Sequence, residues 1–375
     1  GVECVAVSNE VSNDELHHQL LKENFYSKIL QRGSRRMLLT HLAVLSPAHE
    51  SCFLFNVYPE TADSPDCAPG RMDTEVSLLS KGLIAVSGVQ SALGVQLRSL
   101  IAKEKATHLI VLSPGWNTFQ PEALDNFKDW MTAIRAAAPE NTPFRPIYLG
   151  ISWQSKWGCG PLDGGPCPTF QRSSVGVKGN DADETGLMWG NTIAVKLLAE
   201  LKKEHNLRVW AIGHSYGARV VVESALRNSI LGVRGTSAFD LVIGLQPAFS
   251  RNRFDYQRTE RLIDFAPYVV LKDSLTTRLA MTCSSNDQAG EGARTYTLRC
   301  PATARLPESN GNYAYIEADQ NGQVEMDENQ TGKRVYFVDA SKFISQRKPG
   351  TGGNAHSDVF DVEIGRFIWN MDALD

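Results

Sequence analysis

The chain has 375 residues, of which 42% are hydrophobic, and its formal net charge at pH 7 is −4. A chain of this length can bury a large core, as one large α/β domain or as about two or three smaller domains. The mildly acidic charge balance predicts no nucleic-acid partner. No apolar run reaches the roughly 18 residues that a membrane span needs.

The N-terminal part of the chain predicts one helix and two strands. An amphipathic helix is indicated over residues 13–32, which begin with asparagine and aspartate. The apolar runs 37–45 and 52–58 predict strands at an antiparallel edge of a sheet. We assign residues 1–75 to an N-terminal extension that packs on or extends the core sheet, and residues 76–375 to the main domain.

From residue 83 onward, predicted helices alternate with predicted strands. The helices cover residues 83–101, 121–138, 188–204, 218–226 and 358–371. The strands cover residues 108–112, 146–152, 207–212, 239–245, 279–282 and 334–338. This alternation predicts an α/β fold with a mostly parallel central sheet and helices on both faces. Because ligands bind beyond the carboxyl ends of such strands, functional side chains should follow strands directly.

Two segments interrupt the alternation. Residues 156–187 are rich in glycine, proline, serine and aspartate, and they read either as a lid-like loop or as a plain surface loop. Residues 290–330 predict a β-rich insertion with a turn at Asn321-Gly322.

Ser215 lies between a predicted strand and a predicted helix, in the sequence Gly213-His214-Ser215-Tyr216-Gly217. Gly-x-Ser-x-Gly in this context is typical of a nucleophile elbow, a turn so tight that its glycines must allow close approach of backbone. The turn exposes the serine hydroxyl at the N-terminus of the helix. We therefore predict Ser215 as a nucleophile.

A serine hydroxyl needs a general base, which is usually histidine. His356 follows the last predicted strand in a glycine-rich loop and precedes the final helix, so it can reach the end of the sheet where Ser215 lies. His108 and His205 fall at the opposite ends of their strands, and His214 lies within the elbow itself. We predict His356 as the base.

The base needs a carboxylate to orient it. Asp287 follows the strand 279–282, past its carboxyl end, and is our choice. Asp273 is the competing candidate, because the strand boundaries between residues 267 and 282 are ambiguous.

An oxyanion hole needs two backbone N–H donors. One is expected at Tyr216, the residue after the nucleophile. The loop Ser113-Pro114-Gly115-Trp116-Asn117 follows an early strand, and we choose the Trp116 N–H as the second donor.

Six of the seven cysteines form neighbouring pairs along the chain, which predict three disulfides that staple loops: Cys52–Cys67, Cys159–Cys167 and Cys283–Cys300. Such bonds favour a secreted or periplasmic protein, whereas reduced, buried thiols are the alternative. No cysteine pair has the Cys-x-x-Cys spacing of a zinc site, and we predict neither a metal nor another cofactor.

The elbow, the early Pro-Gly-Trp-Asn loop, the order Ser215, Asp287, His356 and the histidine before a C-terminal helix resemble those of the α/β-hydrolase superfamily. Together, Gly115-Trp116-Asn117, Ile151-Ser152-Trp153 and the elbow are similar to motifs of the lipase- and esterase-like branches of that superfamily. The resemblance covers about residues 108–375. It implies an α/β-hydrolase fold and an acyl-enzyme route to ester hydrolysis, with a small-molecule or lipid ester as substrate and no obligate protein partner.

Trp153, Gln246 and Phe249 are candidates for the substrate pocket, although each is equally plausible in the core or, for Gln246, as a loop cap. A lid over residues 156–187 would favour a lipid-like substrate and contact with a lipid interface. An acyltransferase would use the same three residues, and a non-catalytic binding protein of the same fold is the alternative from another class.

Overall fold

The computed structural model describes the greater part of the region from residue 91 onward and two strands before it. Its described residues are 39–46, 51–56, 91, 93–118, 120–153, 155, 178–179, 181–183, 185–186, 190–230, 238–249, 251–254, 276–287, 289, 313–345 and 354–374. The predicted helix at 13–32 lies outside this part of the chain.

Nine described strands form one sheet. They are β1 Leu39–Ser46, β2 Ser51–Asn56, β3 His108–Ser113, β4 Pro146–Trp153, β5 Arg208–His214, β6 Leu241–Leu245, β7 Arg278–Cys283, β8 Tyr313–Glu317 and β9 Val335–Asp339. Their order across the sheet is β2-β1-β4-β3-β5-β6-β7-β9-β8.

Seven neighbouring strands, from β4 to β8 in that order, run parallel, as the alternating sequence predicted. The hairpin of β1 and β2 pairs antiparallel, and β1 also runs antiparallel to β4. The N-terminal strands therefore extend one edge of the parallel sheet.

Helices cover both faces of the sheet. Their bounds are α1 at 93–104, α2 Gln120–Ala136, a π-helix Gly190–Leu198 that continues into α3 Ala199–His205, α4 Tyr216–Ile230 and α5 Val362–Asp372. Buried residues of α1, the π-helix, α3 and α4 pack on one face, and those of α2 and α5 pack on the other.

The buried strands alternate between these two cores. In β3, Leu109 and Val111 join the core under α4, whereas Ile110 and Leu112 join the core under α2 and α5. Successive side chains of a strand point to opposite faces, so a strand buried on both sides reads as a continuous apolar run. This explains why β3 to β7 can be recognised as strands from the sequence.

The structure places parts of the two predicted interruptions within the core unit. Residues 178–179, 181–183 and 185–186, at the end of the predicted lid-like loop, are helical and buried. β8, inside the predicted β-rich insertion, is a parallel edge strand of the main sheet. The predicted turn at Asn321-Gly322 is present, and Gly322 has a φ of +77°.

None of the described helices has the length and apolar character to cross a membrane. The same residues contain no group of three or more histidine, cysteine, aspartate or glutamate side chains arranged to hold a metal ion.

Candidate functional site

Ser215 stands at the carboxyl end of β5, in a strained turn. Its φ is +54°, a region that residues other than glycine rarely adopt and that costs about 1–3 kcal/mol. The turn is held by backbone bonds to the end of β6: the Ser215 N–H donates to the Leu245 oxygen at 3.0 Å, and the Ala248 N–H donates to the Ser215 oxygen at 3.0 Å. The strain is therefore opposed by a fixed frame at the centre of the sheet.

The two glycines of the elbow are there because no side chain fits. A Cβ at Gly213 would overlap the backbone of Gly217, and a Cβ at Gly217 would overlap the backbone oxygens of Ser113 and Pro114. These overlaps are with main-chain atoms, which cannot move aside cheaply. The elbow thus packs directly against the loop predicted to form the oxyanion hole.

The loop after β3 lies over the elbow. A Cβ at Gly115 would stand 3.1 Å from the Cβ of Ser215 and 3.2 Å from Nδ1 of His214.

Ser155, beyond β4, supports this loop: its main-chain oxygen accepts the Asn117 N–H at 3.1 Å and its Oγ accepts the Thr118 N–H at 3.0 Å. Trp116, the predicted donor, lies in this braced loop, and Tyr216 begins α4 directly after Ser215.

The structure brings Asp287 and His356 together. Nδ1 of His356 lies 2.8 Å from Oδ2 of Asp287, and both side chains are largely buried. Burial raises the pKa of Asp287, but the hydrogen bond and the charge of His356 and the Ala289 N–H outweigh it, so the pKa lies below its usual value. The carboxylate thus stays ionised and can orient the imidazole.

The loop that carries Asp287 is anchored to the segment after β9. Ser284 Oγ donates to the Ile344 oxygen at 2.7 Å, and the amide of Asn286 donates to the oxygens of Ser341 and Ile344. Because β7 and β9 are parallel neighbours, their carboxyl ends bring this loop and the 3-10 turn of His356, Asn354–Ser357, to one end of the sheet.

The three predicted pocket residues are buried and contact other protein groups. The indole N–H of Trp153 donates to the Pro114 oxygen at 3.0 Å. The amide of Gln246 donates to Asp287 Oδ2 at 3.0 Å. Phe249 packs against Phe254, with ring centroids 6.2 Å apart. Trp153 therefore supports the loop predicted to form the oxyanion hole, and Gln246 supports the Asp287 carboxylate.

The sequence did not predict a buried group of charges that lies behind the elbow. Asp183 accepts hydrogen bonds from both Arg219 and Arg253, at distances of 2.7–3.1 Å. Arg219 also lies over the Tyr216 ring, 4.9 Å from its centroid, and its Nε donates to the Ala248 oxygen at 2.6 Å. Scattered charges in a sequence read as solvated surface, so only the Arg219 position on the apolar face of α4 offered a signal.

Other predictions fall outside the described residues. The competing carboxylate Asp273 lies there. Each of the three predicted cysteine pairs has at least one member there, so the disulfides stay predictions.

No protein-family model matches the sequence, and no curated protein matches it significantly. Among solved structures, an IroE-like serine hydrolase from Shewanella oneidensis aligns at 13% identity over 73% of this chain and 72% of its own, with a TM-score of 0.33. A Thermus thermophilus protein aligns at 11% identity over 72% and 91%, with a TM-score of 0.32. A lipase-esterase related protein from Clostridium acetobutylicum aligns at 12% identity over 48% and 76%, with a TM-score of 0.24.

The architecture of the described residues identifies the fold. Seven parallel strands with helices on both faces carry a strand–elbow–helix unit at the end of the central strand β5. The chain therefore has an α/β-hydrolase fold.

Proposed function

We propose that the protein is a serine hydrolase that cleaves carboxylic esters through an acyl-enzyme. The observation that carries the proposal is the 2.8 Å contact between His356 Nδ1 and Asp287 Oδ2 next to the strained elbow. A buried carboxylate on one ring nitrogen holds the imidazole in the tautomer whose Nε2 accepts a proton, which a general base requires.

In the proposed reaction, His356 Nε2 takes the Ser215 Oγ proton as Oγ bonds to the ester carbon. The Tyr216 and Trp116 N–H groups donate to the oxyanion. The imidazolium then gives its proton to the departing alkoxide, which leaves as the alcohol. A water molecule loses a proton to His356 and attacks the acyl-enzyme, and Ser215 recovers its proton as the acid leaves.

Labelling with a fluorophosphonate probe tests the proposal, since the probe reacts with an activated serine. We expect the folded wild type to be labelled and Ser215→Ala to be silent. Asp287→Asn should lower kcat by about 10³–10⁴-fold, because the imidazole is then held in the wrong tautomer. A folded wild type that is not labelled would contradict the proposal and favour a binding protein, whereas full activity in Asp287→Asn would shift the carboxylate role to Asp273.

A panel of p-nitrophenyl esters of increasing acyl length, assayed with and without lipid vesicles, then identifies the substrate class. A rate that rises at the vesicle surface with long acyl chains indicates a lipid ester. A rate that is highest for short chains in solution indicates a small ester.

A further inference from the structure

Gln246 directly follows β6, in a backbone conformation that needs a reason. Its φ is +45°, and the residue is 3% exposed. A left-handed backbone conformation costs free energy in a residue other than glycine. It persists where surrounding contacts fix the residue, as they often do at functional sites. The side chain points towards the end of the neighbouring strand β7.

Thr282, on β7, binds Gln246 at two points. Its Oγ1 accepts the main-chain N–H of Gln246 at 2.9 Å and donates to the side-chain oxygen Oε1 at 3.1 Å. Nε2 of Gln246 then lies 3.0 Å from Oδ2 of Asp287.

These contacts determine which way the amide points. An ionised carboxylate can only accept hydrogen bonds, so the atom facing Asp287 must be the NH₂ group. The Thr282 hydroxyl has one proton and already accepts the Gln246 N–H, so its proton goes to the amide oxygen. In the opposite orientation, two acceptors would face each other at Asp287.

Oδ2 of Asp287 is the same oxygen that contacts His356 Nδ1. The other carboxylate oxygen, Oδ1, accepts the Ala289 N–H at 2.9 Å. The carboxylate therefore has donors at both oxygens, and Gln246 contacts the oxygen that faces the imidazole.

We propose that Gln246 is a positioning residue, locked by Thr282, that sets the direction of the Asp287 carboxylate and through it the orientation of His356. The inference rests on the proposed function, in which His356 is the base. It differs from a substrate-pocket role for Gln246, because its amide is directed at the carboxylate.

Thr282→Val and Thr282→Ser test the lock with a matched pair. Valine keeps the shape of threonine but lacks the hydroxyl, whereas serine keeps the hydroxyl. We expect Thr282→Val to lower kcat for p-nitrophenyl acetate by roughly 10- to 100-fold with little change in KM, and Thr282→Ser to restore most of it. Equal kcat values in wild type and Thr282→Val would overturn the proposal.

Gln246→Glu is the second test, because it keeps the side-chain shape and replaces the neutral donor by an ionisable group. The titratable groups that face Asp287 in the described residues are His356 and His214. An added carboxylate favours the protonated base, so the acidic limb of the kcat/KM profile should move up by about one pH unit. An acidic limb that does not move would mean that the side chain at position 246 does not act on the pair of Asp287 and His356.

The downfield NMR signal of the His356 Nδ1 proton separates this inference from the proposed function. It reports on the contact with Asp287 and needs no turnover. We expect Thr282→Val to shift or broaden it and Thr282→Ser to keep it. A signal that neither Thr282→Val nor Gln246→Glu changes overturns the positioning role. A signal that changes as expected in a protein that no fluorophosphonate labels supports the positioning role and contradicts the hydrolase.

Discussion

Nε2 of His214 lies 2.7 Å from the main-chain oxygen of His356. A carbonyl oxygen only accepts, so Nε2 carries the proton and donates it. Burial, with a smaller contribution from His356, lowers the pKa of His214 to about 3. The residue before Ser215 is thus a neutral imidazole that connects the elbow to the turn carrying the proposed base.

His214→Leu removes this donor, and we expect kcat to fall by roughly 10- to 100-fold because the turn of His356 is no longer fixed. His214→Gln keeps an N–H donor at a similar reach and should recover part of the loss. The measurement is kcat and KM for an ester that the wild type hydrolyses.

His205→Gln is the matched control, because this histidine ends α3 at the opposite end of the sheet. Its kcat should equal that of the wild type. If His214→Leu also keeps the wild-type kcat, the contact with His356 has no role in orienting the base.

Trp153 supports the loop after β3, the proposed oxyanion loop, through one hydrogen bond from its indole N–H to the Pro114 oxygen. Trp153→Phe keeps a buried aromatic ring and removes the donor together with part of the indole, and the control below shares both losses. We expect kcat to fall by about 3- to 30-fold, since a loosened loop aims its N–H donors less well at the oxyanion. The loss should appear in kcat more than in KM.

Trp369→Phe provides the comparison. Its indole N–H also donates to a main-chain oxygen at 3.0 Å, that of Ile134, but in the core between α2 and α5. Both variants should lose similar free energy of unfolding, about 1–3 kcal/mol. If both lose kcat equally, the Trp153 bond contributes stability alone.

Much of the fold could be predicted because it depends on local patterns. Strands buried on both faces read as apolar runs, and the parallel order put the loops after β7 and β9 at one end of the sheet, where Asp287 and His356 meet. The direction of the Gln246 amide could not be predicted, because it depends on a φ of +45° and on a hydroxyl in another strand. The membership of β8 in the main sheet depends on pairing that its short sequence does not specify.

The buried charges behind the elbow lead to a stability prediction. Asp183 is the shared partner of Arg219 and Arg253, and all three side chains are at most 1% exposed. Asp183→Ala leaves two buried guanidinium groups without this partner. Breaking a buried pair in this way costs about 3–5 kcal/mol of the free energy of unfolding, which urea denaturation measures.

Glu204→Gln is the control for Asp183→Ala, because Glu204 pairs with Arg98 at 2.8 Å on an exposed surface. An exposed pair contributes little to stability, because water screens the two charges. An Asp183→Ala loss no larger than the Glu204→Gln loss would show that the cluster does not stabilise the core beneath α4.

His108 leads to a prediction about pH. Its ring packs edge-on against Phe144, Trp210 and Trp369, with ring centroids 4.8–5.6 Å apart. Burial, and to a lesser degree the charge of Arg208, lowers its pKa from 6.5 to about 4. The folded protein therefore keeps this ring neutral at acidities where the unfolded chain protonates it.

The pKa of His108 is lower in the folded protein than in the unfolded chain. The stability that the neutral His108 ring contributes is therefore complete above about pH 6.5 and is lost as the pH falls to about 4. Each pH unit in that window removes up to about 1.4 kcal/mol, or about 2–3 kcal/mol between pH 7 and 4.5. His108→Phe keeps a ring in the cluster and does not titrate, so its stability should fall less over the same range.

Two other effects do not disturb the comparison. The hydrogen bond to Thr107 Oγ1 that the variant lacks cancels between the two pH values, and the lowered pKa of His214 acts equally in both proteins. Urea denaturation of wild type and His108→Phe at both pH values measures the difference, and equal losses would mean that His108 stays accessible to protons in the folded state.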